Sequence, residues 1–274
     1  MSSNSISILG AGWLGGALGE HLLQQGWAVK ASTTTERRLP ELQARGMQPY
    51  RIDLNQAVAP ETLSDFLSGD VLFISIPPGS RRGAPPEEHL QALQQLEEHL
   101  QKGPTTRVIY CSSTGVYPNL NRELTEEDCP PAPEGGHPCL RAEHWLLNLP
   151  EVEAISLRFG GLFGNGRSIA RYFAGRKEIP NGRAPVNQVH QIDCLGVIES
   201  VLEQFSALQN ETYNVVADEH PSRQEYYAKR CELLGLEPPE FIDELKDWKL
   251  VRNDKLKNRT GYSFKVELFS APLP

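Results

Sequence analysis

Residues 5–31 read SISILGAGWLGGALGEHLLQQGWAVKA, and the order of apolar residues and glycines in this stretch decides the fold. Ser5–Leu9 is a short β-prone run carrying Ile6, Ile8 and Leu9. It leads into Gly10-Ala11-Gly12-Trp13-Leu14-Gly15, after which Leu14, Leu18 and Leu22 recur every four residues beside Ala17. That spacing lays one apolar stripe along a helix, with Gly26 as its C-terminal stop. Trp27–Ala31 reads as a second strand. The stretch therefore spells strand, glycine turn, helix, strand, which is a βαβ unit.

Downstream the same alternation continues. Glu36–Arg45 predicts a helix, Gln48–Ile52 a strand, and Val71–Ile76 (VLFISI) a fully buried strand closed by Pro77-Pro78. His89–Leu100 carries Leu90, Leu93, Leu96 and Leu100 at helical spacing. Arg107–Cys111 and Ala154–Phe159 are further strands, 192–206 a helix, and Thr212–Val216 a last strand. Buried strands joined by helices imply an α/β fold of the Rossmann type, a doubly wound parallel sheet covered on both faces. Residues 1–160, with 187–216 returning to them, form the expected dinucleotide-binding domain. Residues 161–186 and 217–274 form the expected smaller, C-terminal substrate lobe.

Composition narrows the function. The chain has 274 residues, 39% of them hydrophobic and 23% charged, which is ordinary for a globular protein. Its formal net charge is −8 and no Lys/Arg block exceeds a pair, so a surface that tracks nucleic-acid phosphates is not expected. The five cysteines (111, 129, 139, 194, 231) show no CxxC spacing and read as reduced thiols. No apolar run reaches the roughly 18–20 residues that span a bilayer. With structural sequence beginning by Ile6, a signal peptide has no room, and the expected location is the cytoplasm. The expected partner is a small-molecule substrate, and the expected state a monomer or homodimer.

GxGxxG gains its force from lying between a strand and a helix. Gly10 permits the tight turn, Gly12 lets the backbone approach a pyrophosphate, and Gly15 allows close helix–strand packing. The N–H groups of the helix start, at Trp13 and Leu14, then face the diphosphate with the positive end of the helix dipole. At the end of the second strand an Asp or Glu would accept from the 2′-hydroxyl of NAD. This chain instead reads Lys30-Ala31-Ser32-Thr33-Thr34-Thr35-Glu36-Arg37-Arg38. The hydroxyls of Ser32 and Thr33 with the guanidinium of Arg37 suit a 2′-phosphate, so NADP is the expected cofactor, with NAD as the alternative.

Four further segments carry a resemblance. Tyr110-Cys111-Ser112-Ser113-Thr114-Gly115-Val116-Tyr117 resembles the SSxxVYG segment of extended short-chain dehydrogenase/reductases, the NAD-dependent epimerase/dehydratase family. Leu124-Thr125-Glu126-Glu127-Asp128 with Pro130-Pro131-Ala132-Pro133 resembles its TEdxPxxP loop. Val189-His190-Gln191-Ile192-Asp193 is similar to its vHvxD element, and Arg158–Gly164 to its strand exit. Within the family the chain looks most like an atypical bacterial branch, the YeeZ-type proteins. The resemblance implies that Ser113 bonds a substrate hydroxyl or carbonyl, that Asp53 contacts adenine, and that Ile76, Pro77 and Ser112 line the cofactor. Asp193 is expected to be a structural cap or loop anchor. Leu9 stands where the family's first glycine falls. The remaining GxGxxG also occurs in β-hydroxyacid dehydrogenases of the 6-phosphogluconate type, which lack the other segments.

The family's reaction uses a Tyr-x-x-x-Lys pair, which belongs within 135–144, GGHPCLRAEH. Aligning Glu143 with the family's helix glutamate puts Gly135 at the tyrosine and Cys139 at the lysine. A shift of two gives His137-x-x-x-Arg141, an acid with a cationic neighbour. Ala142, Trp145, Leu146 and Leu149 predict a helix over 138–149. Cys139 and His144 then lie roughly 140° apart around its axis, and His137 and His144 about 10 Å apart along it, so the cluster holds no metal. Tyr117 or His137 is the remaining proton donor, although Tyr117 also reads as an aromatic packed beneath the nicotinamide. Two functions follow from these residues: an NADP-dependent oxidoreductase or epimerase-like enzyme with an altered acid/base, or a dinucleotide sensor without turnover.

Overall fold

The computed structural model describes residues 4–79, 83, 85–134 and 136–270. Its strands are β1 (Ser5–Leu9), β2 (Ala28–Thr33), β3 (Gln48–Arg51), β4 (Val71–Ile74), β5 (Arg107–Ser113), β6 (Arg122–Leu124), β7 (Glu153–Phe159), β8 (Gly161–Phe163), β9 (Gln188–His190), β10 (Glu211–Val215) and β11 (Lys249–Val251). Its helices are α1 (Trp13–Gln24), α2 (Leu39–Ala44), α3 (Pro60–Phe66), α4 (Pro86–Gln94), α5 (Glu97–Lys102), α6 (Pro138–Leu147), α7 (Ala170–Phe173), α8 (Gln191–Glu203), α9 (Phe205–Leu208), α10 (Arg223–Leu233) and α11 (Asp254–Thr260).

Seven strands form a parallel sheet in the order β10-β7-β5-β4-β1-β2-β3. The order reverses between β1 and β4, and such a switch point opens a crevice at the carboxyl ends of the strands. The doubly wound expectation is met, and burial explains why the sequence signalled it. Ile6, Ile8 and Leu9 of β1 and all four residues of β4 are buried, as strands covered on both faces must be. Leu14, Leu18 and Leu22 form the buried stripe of α1.

Several boundaries moved. The helix expected over 89–100 is two helices, α4 and α5, and the side-chain amide of Gln95 at the break donates to the Leu54 carbonyl. The helix start expected at Glu36 is a 3-10 turn over Glu36–Arg38, and Pro40 then sits in the first turn of α2, where its missing N–H costs nothing.

The chain divides into two compact units: 1–112 with 131–157 and 205–212, and 113–130 with 158–204 and 213–274. Where the sequence pattern placed a lobe at 161–186 and 217–274, the second unit takes in 113–130 and 187–204 as well, with the short stretches 158–160 and 213–216. The pairing of β6 with β11, Arg122 opposite Lys249, joins the first of these segments to it, and the pairing of β8 with β9 joins the second. Its apolar cluster gathers Phe163, Ala170, Val186, Ala217, Tyr226, Tyr227, Cys231 and Leu268. Asp193 is fully buried there and accepts from the Tyr262 hydroxyl (3.0 Å) and the backbone N–H groups of Lys265 (2.7 Å) and Val266 (3.1 Å). Among the described residues, no helix is long and apolar enough to cross a membrane.

Candidate functional site

In the first unit a cleft of about 410 Å³ opens where β1, β2, β3 and β4 end. It is lined by Gly10 and Gly12, by Ser32, Thr33 and Thr34, by Asp53, and by Ile76, Pro77 and Gly79, with Arg38 and His89 reaching it from outside the sheet. The three glycines of the turn answer different demands. Gly10 has φ +97°, and a Cβ there would lie 2.9 Å from Ile76 Cγ2. At Gly15 a Cβ would lie 2.4 Å from the Gly10 carbonyl oxygen. At Gly12 it would meet nothing within 4 Å, so the protein itself does not demand glycine there.

The turn is held in place by β2. Ser32 Oγ accepts from the Gly10 N–H (2.9 Å), and the Ser32 carbonyl accepts from the Ala11 N–H (2.8 Å). Arg38 closes over the same loop, donating from Nη2 to the Ala11 carbonyl (2.9 Å). No side chain caps α1 and its first turn carries no acidic residue, which leaves its N-terminus suited to an anion. Asp53 accepts from the backbone and side-chain N–H groups of Asn55, both at 3.1 Å.

Other residues expected at the cofactor are not among those lining the cleft. Leu14 is buried in the stripe of α1, and neither it, Trp13 nor Gly15 lines the cleft with a side chain. Arg37 is exposed and does not line the cleft, whereas the neighbouring Arg38 does. Ser112 is buried, its hydroxyl donating to Glu143 Oε1 at 2.5 Å, and Ser156 donates to the same oxygen at 3.1 Å. Glu143 is fully buried on α6.

His89 has no counterpart among the expected residues. It is 5% exposed, lines the cleft, and pairs through Nε2 with the Tyr110 hydroxyl at 2.7 Å. Burial pulls its pKa down to about 4, so the ring is neutral near pH 7. Burial pushes the Tyr110 phenol well above its ordinary value.

The expected proton donors have other partners. Tyr117, in the second unit, donates its hydroxyl to Asn214 Oδ1 (2.7 Å) and accepts from Arg158 Nη1 (2.8 Å), and burial pushes its pKa up to about 12. Glu126 accepts from the Asn214 N–H (2.7 Å), and burial raises its carboxyl pKa. His137 is the N-cap of α6, its Nδ1 accepting from the Cys139 N–H at 3.2 Å. Ser113 is half-buried at the end of β5. Its Oγ accepts from the Gly115 N–H (3.0 Å), and its hydroxyl hydrogen has no acceptor among the described residues. A separate cavity of about 230 Å³ in the second unit is lined by Thr114, Gly115, 185–188, Arg223, Tyr227 and Lys249.

The sequence matches no protein-family model. It is 33% identical over 267 residues to Protein YeeZ of Escherichia coli (strain K12), an alignment covering 94% of this chain and 95% of that one. This chain belongs to the YeeZ family. Among solved structures, the UDP-glucose 4-epimerase of Thermotoga maritima with UDP-glucose superposes on this YeeZ-family chain with a TM-score of 0.79 at 16% identity. That match covers 98% of this chain and 96% of the epimerase. The UDP-glucuronic acid 4-epimerase of Bacillus cereus, in complex with UDP-glucuronic acid and NAD, gives 0.77 at 19% identity over 97% and 96% of the two chains. The YeeZ-family chain thus has the fold of the epimerase branch of short-chain dehydrogenase/reductases.

In this YeeZ-family protein Gly135, the tyrosine position in the register set by Glu143, lies outside the described residues. Cys139, at the lysine position in the same register, is a buried thiol 2% exposed. Among the described residues, no group of three or more His, Cys, Asp or Glu is placed to hold a metal ion.

Proposed function

We propose that the protein binds a nicotinamide dinucleotide, NADP in preference to NAD, and acts with it as an oxidoreductase or epimerase-like enzyme on a small molecule. The observation that carries this reading is Gly12. A glycine whose missing side chain faces open space, between two glycines that packing requires, leaves room for a ligand to touch the backbone. The uncapped start of α1 would hold the diphosphate, Ser32, Thr33 and Arg38 the 2′-phosphate, and Asp53 the adenosine end. Ile76 and Pro77 would line the nicotinamide half. The NAD bound to the Bacillus cereus epimerase supports a nicotinamide cofactor for this shared fold. Bound there, the cofactor supplies hydride transfer. Ser113, with its unengaged hydroxyl hydrogen, would bond the substrate oxygen.

Tyr117 favours a second reading. Its hydroxyl hydrogen is committed to Asn214 and it lies against a buried guanidinium, so it is poorly placed to protonate a substrate. With a thiol where the family carries lysine, a cofactor-binding sensor without turnover is the competing function. Titration with NADPH and a panel of carbonyl compounds and sugar nucleotides separates the two. Substrate-dependent loss of absorbance at 340 nm, abolished in Ser113→Ala, supports the enzyme. Tight NADPH binding with no oxidation across the panel supports the sensor. None of the five cysteines forms a disulfide among the described residues, in keeping with the cytoplasm as the proposed location, and the proposed state is a monomer or homodimer.

A further inference from the structure

The cavity of the second unit has a chemistry of its own. Arg223 and Tyr227 lie one turn apart on α10 and present the same face to it, as residues i and i+4 do. The backbone N–H of Arg223 donates to the Ala184 carbonyl, which fastens the start of the helix beside 185–188. From the other side comes Lys249, at the start of β11. Asn187 fixes it in place, donating to the Lys249 carbonyl (3.0 Å) and accepting from the Val251 N–H (2.8 Å).

Neither cation meets an anion among the described residues. Arg223 donates from Nη1 to the Pro180 carbonyl (2.8 Å), and its guanidinium lies over the rings of Phe173 and Phe241 at 5.5 and 5.2 Å. Lys249 Nζ donates to the Tyr117 carbonyl at 2.5 Å. Neither has a carboxylate partner among the described residues, although the chain carries 35 Asp and Glu against 27 Lys and Arg. Burial pulls both pKa values down, as it does for cations without a neighbouring negative charge. Two half-buried, uncompensated cations on one cavity of an acidic protein are costly unless an anion joins them.

The remaining lining mixes Pro185 and Val186 with the polar Thr114, Asn187, Gln188 and Tyr227. Gln188 is 5% exposed; its amide nitrogen lies 3.4 Å from the Tyr227 hydroxyl, and its Oε1 is shielded from water with no partner. A turn of that amide would offer its oxygen to a donor in the cavity. At about 230 Å³ the cavity falls below the roughly 300–1,000 Å³ of pockets that hold drug-sized ligands.

From this geometry we infer that the cavity binds a small hydroxylated anion, a carboxylate or phosphate ester the size of a monosaccharide, rather than a whole nucleotide sugar. The charge is held by Arg223 and Lys249 and a hydroxyl is read by Gln188. The inference deepens the function proposed above and rests on it only for the anion's role as substrate.

Calorimetric titration of the full chain at low ionic strength tests it, with glucuronate, glucose 6-phosphate, glucose and UDP-glucuronate as probes. Binding of glucuronate or glucose 6-phosphate is expected, the preferred one reporting which anion is read, and glucose is expected not to bind. Arg223→Gln and Lys249→Met should each weaken that binding tenfold or more, and Arg223→Lys less than Arg223→Gln. Gln188→Met should weaken it with an unchanged thermal midpoint, which separates recognition from folding. The inference is overturned if neither small anion binds, if glucose binds equally well, or if the two charge-removing variants bind like the wild type. Tenfold tighter binding of UDP-glucuronate than of glucuronate overturns it too, since the nucleotide would then occupy the site. NADPH affinity, read by fluorescence, reports on the cofactor reading separately. Its loss would leave the anion site standing, and anion binding can fail while NADPH still binds.

Discussion

The hydroxyl of Ser112 donates to Oε1 of Glu143 at 2.5 Å, and the hydroxyl of Ser156 shares that oxygen at 3.1 Å. One carboxylate oxygen thereby fastens α6 to two neighbouring strands in a site with no access to water. Glu143→Ala leaves two buried hydroxyls without an acceptor, and should cost about 2–4 kcal/mol of unfolding free energy. Glu143→Gln keeps one acceptor oxygen and should cost about half as much. Urea unfolding of the two variants measures both, and an equal loss would show that the charge, rather than the shared oxygen, holds the helix.

Gly12 and Gly15 should respond differently to the same added methyl group. In Gly15→Ala the new Cβ meets the Gly10 carbonyl at 2.4 Å, so the turn must shift and the thermal midpoint should fall. In Gly12→Ala nothing lies within 4 Å, so the midpoint should stay put while NADPH affinity drops about tenfold or more. Unchanged affinity in Gly12→Ala would remove the argument for cofactor contact at this turn.

Cofactor preference should follow Arg38 rather than Arg37. Arg38 lines the cleft and is anchored to Ala11, whereas Arg37 is exposed. A charge-assisted bond to a 2′-phosphate is worth roughly 1.5–3 kcal/mol, so Arg38→Ala should lower the ratio of NADPH to NADH affinity by about tenfold to a hundredfold. Arg37→Ala should leave the ratio within about twofold, the small change expected of a surface charge away from the site. Dissociation constants for both cofactors in both variants provide the measurement.

His89 should make stability depend on pH. Its folded pKa lies near 4, below the ordinary 6.5, so the unfolded chain binds a proton that the folded chain refuses. Stability from this group is present above about pH 6.5 and is lost as the pH falls toward 4, by at most ~3 kcal/mol. His89→Gln keeps a hydrogen-bonding partner for Tyr110 and cannot take the proton. Urea midpoints at pH 7 and pH 5 should therefore converge more closely in the variant. Equal pH dependence in both proteins would show that the ring is solvated in solution.

Much of the fold was legible because it rests on periodicity. Ile6, Ile8 and Leu9, the glycine turn and the stripe of Leu14, Leu18 and Leu22 are local signals, and the structure realises them where the sequence set them. The arginine at the cleft was not legible. In a 3-10 turn adjacent residues point about 120° apart, and nothing in Glu36-Arg37-Arg38 says which guanidinium turns inward. His89 was missed because it precedes Leu90 in what reads as the polar side of a helical pattern, and its partner Tyr110 lies on a distant strand. The pairing of Arg223 with Lys249 on one cavity joins α10 to a three-residue strand that no periodicity announces. Within GGHPCLRAEH the reading of a helix start is met in His137, whereas the buried bridging role of Glu143 depends on serines in two other segments.

Tyr117 and Lys249 meet although they stand 132 positions apart in the chain. During synthesis the ribosome delivers the glycine turn first, and β2 and β4, which pair with β1, follow within the first 74 residues. The neighbourhood of Tyr117 has to wait until β11 has emerged before Lys249 can reach its carbonyl. With the chain growing at roughly 5–20 residues per second, that delay is on the order of ten seconds or more. For that interval the glycine turn can already have formed while the cavity that Lys249 lines does not yet exist.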